Sequence, residues 1–343
     1  MAMKKRSSRG RPVAVAPALL LGALSCGVIF WKLGETGLVN GDEGFYHAVA
    51  RNMLASGDFT RLEFTGEHRV YDTFMNAPLQ YWARAALIAS LGDNYWSMRC
   101  LSALFAVLAI VTTYWLAAGI GGTRAGLLAG LLLLTTFQFL FLHGARTGEL
   151  EPIVCFVLLL TCLLFVRCVE RDRGWLGHHL CLLALVNLKA PLVLIPLCAE
   201  LVFLLSVRPA RRRLAGWIAW GAAVAPFALA WHIGQLFALG DEAWSVLSKM
   251  SGQASGEALR RERGPLVNAA FYAQTMLFGA YPHVFVFLVA VVGMPAARMS
   301  RRRKRCVAHV LLVAITVLAF FLMVAKSYPW YVIPAYPFLC VLA

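Results

Sequence analysis

Asp42 and Glu43 are adjacent carboxylates in the segment Asn40-Gly41-Asp42-Glu43-Gly44-Phe45-Tyr46, just past the first long apolar stretch of the chain. Acids beside a membrane are costly unless they are solvated, paired or used. A carboxylate in a dry site, or next to a second acid, regains enough basicity to take a proton from an attacking hydroxyl. A second acidic segment exists: His143-Gly144-Ala145-Arg146-Thr147-Gly148-Glu149-Leu150-Glu151-Pro152. Cations able to face an anionic leaving group stand at Lys189 and at the head of Lys326-Ser327-Tyr328-Pro329-Trp330-Tyr331-Val332-Ile333-Pro334. Each residue also has a plainer reading. Both acids suit a helix N-terminus, where the macrodipole favours negative charge. Arg146 could pair with a neighbouring glutamate in a solvated loop. Trp330 and Tyr331 fit an interfacial aromatic belt, and either lysine could simply snorkel. Glu43 and His47, four apart on one helix face, could hold a divalent metal ion or form a solvated helix edge.

These residues must be positioned by a membrane protein. The chain has 343 residues, of which 60% are hydrophobic and only 14% charged. A soluble domain carries nearer a quarter charged residues. Apolar runs long enough to span recur at 13–31, 97–118, 125–142, 152–169, 214–237, 269–294, 307–325 and 330–343. Shorter runs at 180–188 and 190–207 flank Lys189 and form either a tight hairpin or one long broken helix. This gives about ten spans. With the N-terminus inside, most of the basic residues fall on inner loops: Lys4 to Arg11, Arg124, Arg167 to Arg173, Arg208 to Arg213 and Arg298 to Arg305. The formal charge of +15 is therefore a topology signal, and no nucleic acid is needed to explain it. The acids gather on the outer side. The basic-then-apolar N-terminus reads as an uncleaved signal-anchor. The nine cysteines lie mostly in spans without a Cys-x-x-Cys pair, as small packing residues.

Residues 1–343 read as a single transmembrane domain with two long outer loops, 32–96 and 238–268. In the first, Asn40 and Glu43 suit a capping box. Phe45, Ala48, Val49, Asn52, Met53 and Ser56 then repeat with helical spacing, and Gly57 stops them. Residues 77–91 form a second short amphipathic segment. Two helices lying along the outer surface are expected. The chain ends inside an apolar run, as a fragment or a short member of a longer family would.

Asp42-Glu43-Gly44-Phe45-Tyr46, then Asn76-Ala77-Pro78-Leu79-Gln80-Tyr81-Trp82, resemble the first outer loop of the GT-C glycosyltransferases that use polyprenyl-phosphate sugars. The resemblance is to the branch containing protein O-mannosyltransferases and lipid A aminoarabinose transferases. Arg146 to Glu151 is similar to that family's second acidic loop, with Glu151 where aspartate is usual. Lys326 to Pro337 is similar to its Lys-x-Pro-x-Tyr-x-x-Pro segment. Asn76 replaces a lysine of that pattern, and Phe45 replaces an arginine found in some relatives.

The resemblance implies an all-α GT-C helix bundle and an enzyme. It would move a sugar from a polyprenyl-phosphate donor to a hydroxyl of a lipid, glycan or protein on the outer face of the plasma membrane. Displacement would invert the anomeric centre, with Asp42 as base and Glu43 and Glu151 positioning the acceptor or a metal ion. Lys326, Lys189, Arg146 and Asn76 would meet the donor phosphate, and Tyr46, Tyr81, Tyr331, Arg260, Arg261 and Arg263 the substrates. No cofactor is required beyond a possible divalent ion. A transporter would instead need mid-span acids and repeated halves; only Glu200 is mid-span. A non-catalytic lipid-binding relative is the other alternative.

Overall fold

The computed structural model describes residues 14–39, 41–248, 264–293, 299–324 and 327–343. Among these, the backbone is almost wholly helical. Its one sheet is the two-stranded hairpin Glu63–Phe64 and Glu67–His68. Thr65 and Gly66 turn it with φ of 53° and 80°, the two positive values that match the natural strand twist.

Five helical stretches are long and apolar enough to cross a membrane: Tyr95–Gly121, Glu151–Arg171, Trp175–Ser206, Leu214–Leu239 and Arg301–Met323. The third is not a single rod. His178 and Glu200 touch at 2.8 Å, whereas a straight helix would separate them by about 33 Å. The chain folds back after Lys189, whose φ of −154° and ψ of 91° leave the helical region. Of the two readings open for this segment, the hairpin is the one observed. The run at 269–294 is also two helices, bent by 119° at the break. Val15–Phe30, Thr123–Leu134 and Pro329–Leu342 are shorter apolar helices.

Charge fixes the two ends of the bundle. Arg302 makes a two-pronged contact to Glu170, and Arg213 pairs with Asp172. The basic segments near residues 170, 212 and 302 thus share one end. Asp42, Glu149, Glu151 and Lys189 share the other, close enough for their charges to interact.

The first long loop carries the two helices that the sequence leads one to expect. Gly41–Ser56 stops at Gly57, which takes a φ of 72°. Leu79–Leu91 buries Gln80, Tyr81, Arg84, Ala85 and Ile88, the face of a helix. Ala50, Ala85 and Ile88 join the two helices. Asn94 and Ser97 then cap Tyr95–Gly121 reciprocally.

Close packing at the other end relies on glycine. Gly122, Gly126 and Gly130 recur every fourth residue, so one face of Thr123–Leu134 has little side chain. A Cβ on Gly126 would come within 2.8 Å of the Tyr114 carbonyl and the Ala118 methyl. Gly126→Leu should therefore overpack this contact by about 1–3 kcal/mol or more. A lowered thermal midpoint in detergent micelles checks it; an unchanged midpoint would mean the helices do not approach this closely.

Candidate active site

Glu43 is fully buried and saturated with donors. Arg99 Nε donates to Oε1 at 2.6 Å and Nη2 to Oε2 at 3.2 Å. The backbone N–H groups of Val39 and Gly148 each donate at 3.0 Å. Burial alone would raise its pKa, but these bonds and the charge of Arg99 outweigh burial and hold it below the ordinary glutamate value. Asn40, the expected cap, lies outside the described residues; the Glu43 carboxylate accepts from the N–H of Val39 and reaches across to Gly148 as well. Arg99 also donates to the carbonyls of Leu33, Thr36 and Gly37 and to the Thr36 hydroxyl. One buried ion pair thus ties together the entry to the first loop, its first helix and the loop after residue 143.

Arg84 completes the frame. It is fully buried and donates to the carbonyls of Met98 and Gly148 at 2.9 and 2.8 Å. Its guanidinium sits 5.4 Å from the Tyr46 ring centroid. Gly148 is held at both its N–H and its carbonyl, and a Cβ there would meet the Met98 carbonyl at 3.0 Å and Glu43 Cγ at 3.1 Å. The Ser102 hydroxyl donates to the carbonyl of Glu149.

This frame aims Glu149 toward Asp42 and His143. The ligand atoms of these three side chains all lie within 4.8 Å of one another. Glu149 is buried, yet neither carboxylate oxygen accepts a hydrogen bond. His143 Nδ1 lies 3.5 Å from its Oε2. Asp42 is exposed to solvent on one side, but enough protein surrounds it that burial, and then the charge of Glu149, raises its pKa. Burial would lower the pKa of His143; the Glu149 carboxylate beside it, with Glu151 and Asp42, raises it overall. His143 adopts a φ of 54°, uncommon for a residue with a side chain. Its ring stacks on Trp330 at 3.7 Å between centroids, and Trp330 stacks on Tyr328. The aromatic segment near the C-terminus therefore orients a residue of the second acidic loop.

Glu151, Lys189, Trp330, Tyr331 and Pro334 line a narrow pocket nearby. Lys189 Nζ lies 5.6 Å from the Tyr331 ring centroid. Tyr46 and Tyr81 pack edge to face at 6.0 Å and are buried, which raises both phenol pKa values well above normal. The Tyr81 hydroxyl and both polar atoms of Gln80 are buried without a hydrogen-bond partner. Asn76 donates to Asp72 at 3.3 Å, and its own carbonyl oxygen is unpartnered.

Several expected site residues sit elsewhere. Arg146 donates to the carbonyls of Val28, Ile29 and Trp31, closing the last turn of Val15–Phe30. His47 contacts Asp93 at 2.6 Å and Glu43 binds Arg99, so the structure does not join Glu43 and His47 as a ligand pair. Lys326, Arg260, Arg261 and Arg263 lie outside the described residues. Sequence reasoning did not single out Arg99 or His143 and gave Arg84 no role. An arginine opening a long apolar helix looks like an interfacial residue, and only its partners distinguish it.

A family model described as dolichyl-phosphate-mannose-protein mannosyltransferase matches residues 75–246. An uncharacterized protein of Aquifex aeolicus is 26% identical over 322 residues, covering 91% of this chain and 60% of the relative. Two crystal structures of ArnT from Cupriavidus metallidurans are similar in fold. The one bound to undecaprenyl phosphate has a TM-score of 0.77 at 20% identity, and the apo form 0.76 at 21%. Each alignment covers 96% of this chain and 59% of the ArnT chain. The chain therefore spans about 60% of the length of the proteins it matches. The likeness shows the all-α GT-C bundle expected from the sequence.

Removing one partner of the Glu43–Arg99 pair strands a buried charge. Arg99→Ala should cost about 3–5 kcal/mol, measured by denaturant unfolding in detergent; a cost under 1 kcal/mol would mean the pair is not desolvated. Its pH dependence has a definite sign. With the folded pKa of Glu43 depressed, its contribution is complete above the unfolded carboxylate pKa and is lost as pH falls through the folded value. Acidification should lower the melting temperature of the wild type more steeply than that of Glu43→Gln. Parallel slopes would contradict the assignment.

Proposed function

Because the chain belongs to the dolichyl-phosphate-mannose-protein mannosyltransferase family, we propose that it is a membrane glycosyltransferase taking sugar from a polyprenyl-phosphate donor. The observation that carries the reading is the Asp42 carboxylate, open to solvent and made more basic by burial and by Glu149. Glu43, immediately beside it, is fixed by Arg99. The two adjacent acids divide into a base and an anchor.

In this mechanism Asp42 accepts the proton of an acceptor hydroxyl as its oxygen attacks the anomeric carbon. The bond from that carbon to the phosphate oxygen breaks, and the configuration inverts. Negative charge grows on the departing phosphate and needs a cation. Lys189, next to Glu151 and Tyr331, is the described lysine placed for it; Lys326 begins the segment that includes Trp330. Glu151 positions the acceptor. Tyr46, Tyr81 and the unpartnered Gln80 and Asn76 carbonyl supply hydrogen-bonding groups for sugar hydroxyls. Glu43 acts as a positioning residue. The acceptor is a hydroxyl of a lipid, glycan or protein. The basic end of the bundle faces the cytoplasm under the positive-inside rule, so the site opens on the outer face of the plasma membrane.

The test is release of free polyprenyl phosphate from a panel of polyprenyl-phosphate sugars by the purified chain. Asp42→Asn should lower turnover by about 10²–10⁴-fold, the range for a general base. Equal turnover in wild type and variant would remove Asp42 from the mechanism. Binding of the donor without turnover in either protein would favour a non-catalytic lipid-binding relative.

A further inference from the structure

We propose that Asp42, His143 and Glu149 form a binding site for one divalent first-row metal ion, distinct from the Glu43–His47 pair that the sequence suggests. The proposal goes beyond the transferase reading, although the site shares Asp42 with it. Three observations support it independently of any sequence motif.

The first is geometry. Two carboxylates and an imidazole, from a helix start and a loop more than a hundred residues on, bring ligand atoms within 4.8 Å of each other. His143 Nδ1 and Glu149 Oε2 are already 3.5 Å apart. Bonds of about 2.0–2.2 Å from a tetrahedral centre place ligand atoms at roughly that separation.

The second is an unmet polar demand. A buried carboxylate normally accepts hydrogen bonds, because losing water without them costs several kcal/mol (order of magnitude). Glu149 is buried and neither oxygen has such a bond. Its neighbour Glu43, equally buried, accepts four hydrogen bonds among the described residues. The contrast shows that the fold can saturate a glutamate here and leaves this one open. Asp42 and Glu151 add negative charge beside it. Among the described residues, His143, Lys189 and the buried Arg84 lie close enough for their charges to act on these acids, yet none donates a hydrogen bond to the Glu149 carboxylate.

The third is the support of the nitrogen ligand. The His143 ring lies flat against Trp330, 14° from parallel, and its backbone takes a left-handed conformation. Such strain persists only where surrounding structure enforces it, commonly at functional sites. The stack fixes the ring plane in which Nδ1 faces Glu149.

The ligand set selects the ion class. One imidazole with two carboxylates suits Zn²⁺ or Mn²⁺ better than Mg²⁺ or Ca²⁺, which prefer oxygen alone. Asp42 is exposed, so the ion would keep open positions on the solvent side.

The experiment titrates untagged, chelator-treated chain in detergent with Mn²⁺, followed by electron paramagnetic resonance, and with Zn²⁺ by calorimetry. One ion per chain is expected. His143→Gln and Glu149→Gln should each weaken binding at least tenfold, and His47→Gln should leave it unchanged. Asp42→Asn, altering an exposed side chain, reads the same ligand set should either buried variant fail to fold. Absence of saturable binding, or binding indifferent to His143→Gln and Asp42→Asn, overturns the site. So does loss of binding in His47→Gln alone. Stoichiometric binding lost in these variants supports the site even if no donor is turned over, which would count against the transferase reading only. Turnover by chain shown to bind no ion would overturn the site and leave Asp42 as base.

Discussion

The buried pair between Glu43 and Arg99 is the constraint on which the rest of the site depends. Arg99 opens a membrane-spanning helix, and Glu43 lies in the first turn of a surface helix. Through six further hydrogen bonds the pair also fixes residues 33–39 and Gly148. Desolvating two charges is expensive, and their attraction repays it only with good geometry and every remaining donor and acceptor satisfied. Those conditions hold here. The result is a rigid corner from which Asp42 and Glu149 project. Stability and chemistry are thereby separated between neighbouring residues: Glu43 gives up its basicity to hold the corner, and Asp42 keeps it.

The second loop is organised around that corner. Gly148 is the point where Glu43 and Arg84 both reach the loop backbone, and it has no room for a side chain. Glu149 follows directly and inherits its direction from these bonds. His143, at the other end of the loop, is oriented by the stacked Trp330 and Tyr328. Three segments far apart in the chain meet at one place, each held by a different kind of force: ion pairing, backbone hydrogen bonding and aromatic stacking.

Local signals were the ones readable in the sequence. The first-loop helix was legible because a stop glycine and helical spacing are encoded within about four turns. The fold class was legible from apolar length and charge. Asp42 stood out because adjacent acids beside a membrane are unusual. Arg99 did not, because its meaning rests on Glu43, 56 positions away. The hydrogen bonds of Arg146 were hidden for the same reason: a guanidinium in an acidic loop suggests a glutamate partner, whereas it donates to the carbonyls closing the first helix, more than a hundred residues earlier. The fold-back at Lys189 stayed open because a lysine between two short apolar runs fits either geometry. His143 carried no sequence signal at all, since its left-handed backbone and stacked ring exist only once the chain is folded.

That fold-back also sets a depth. Trp175–Lys189 rises about 22 Å over its 15 residues, against a hydrocarbon layer about 30 Å thick. Measured from the basic end, the lysine at its tip stops below the level a full-length helix would reach. Glu151 and Tyr331 line a pocket with it, so the floor of that pocket rests on the tip of a helix shorter than the layer is thick. The short hairpin thus acts as a step cut into the bundle, carrying a lysine on its tread.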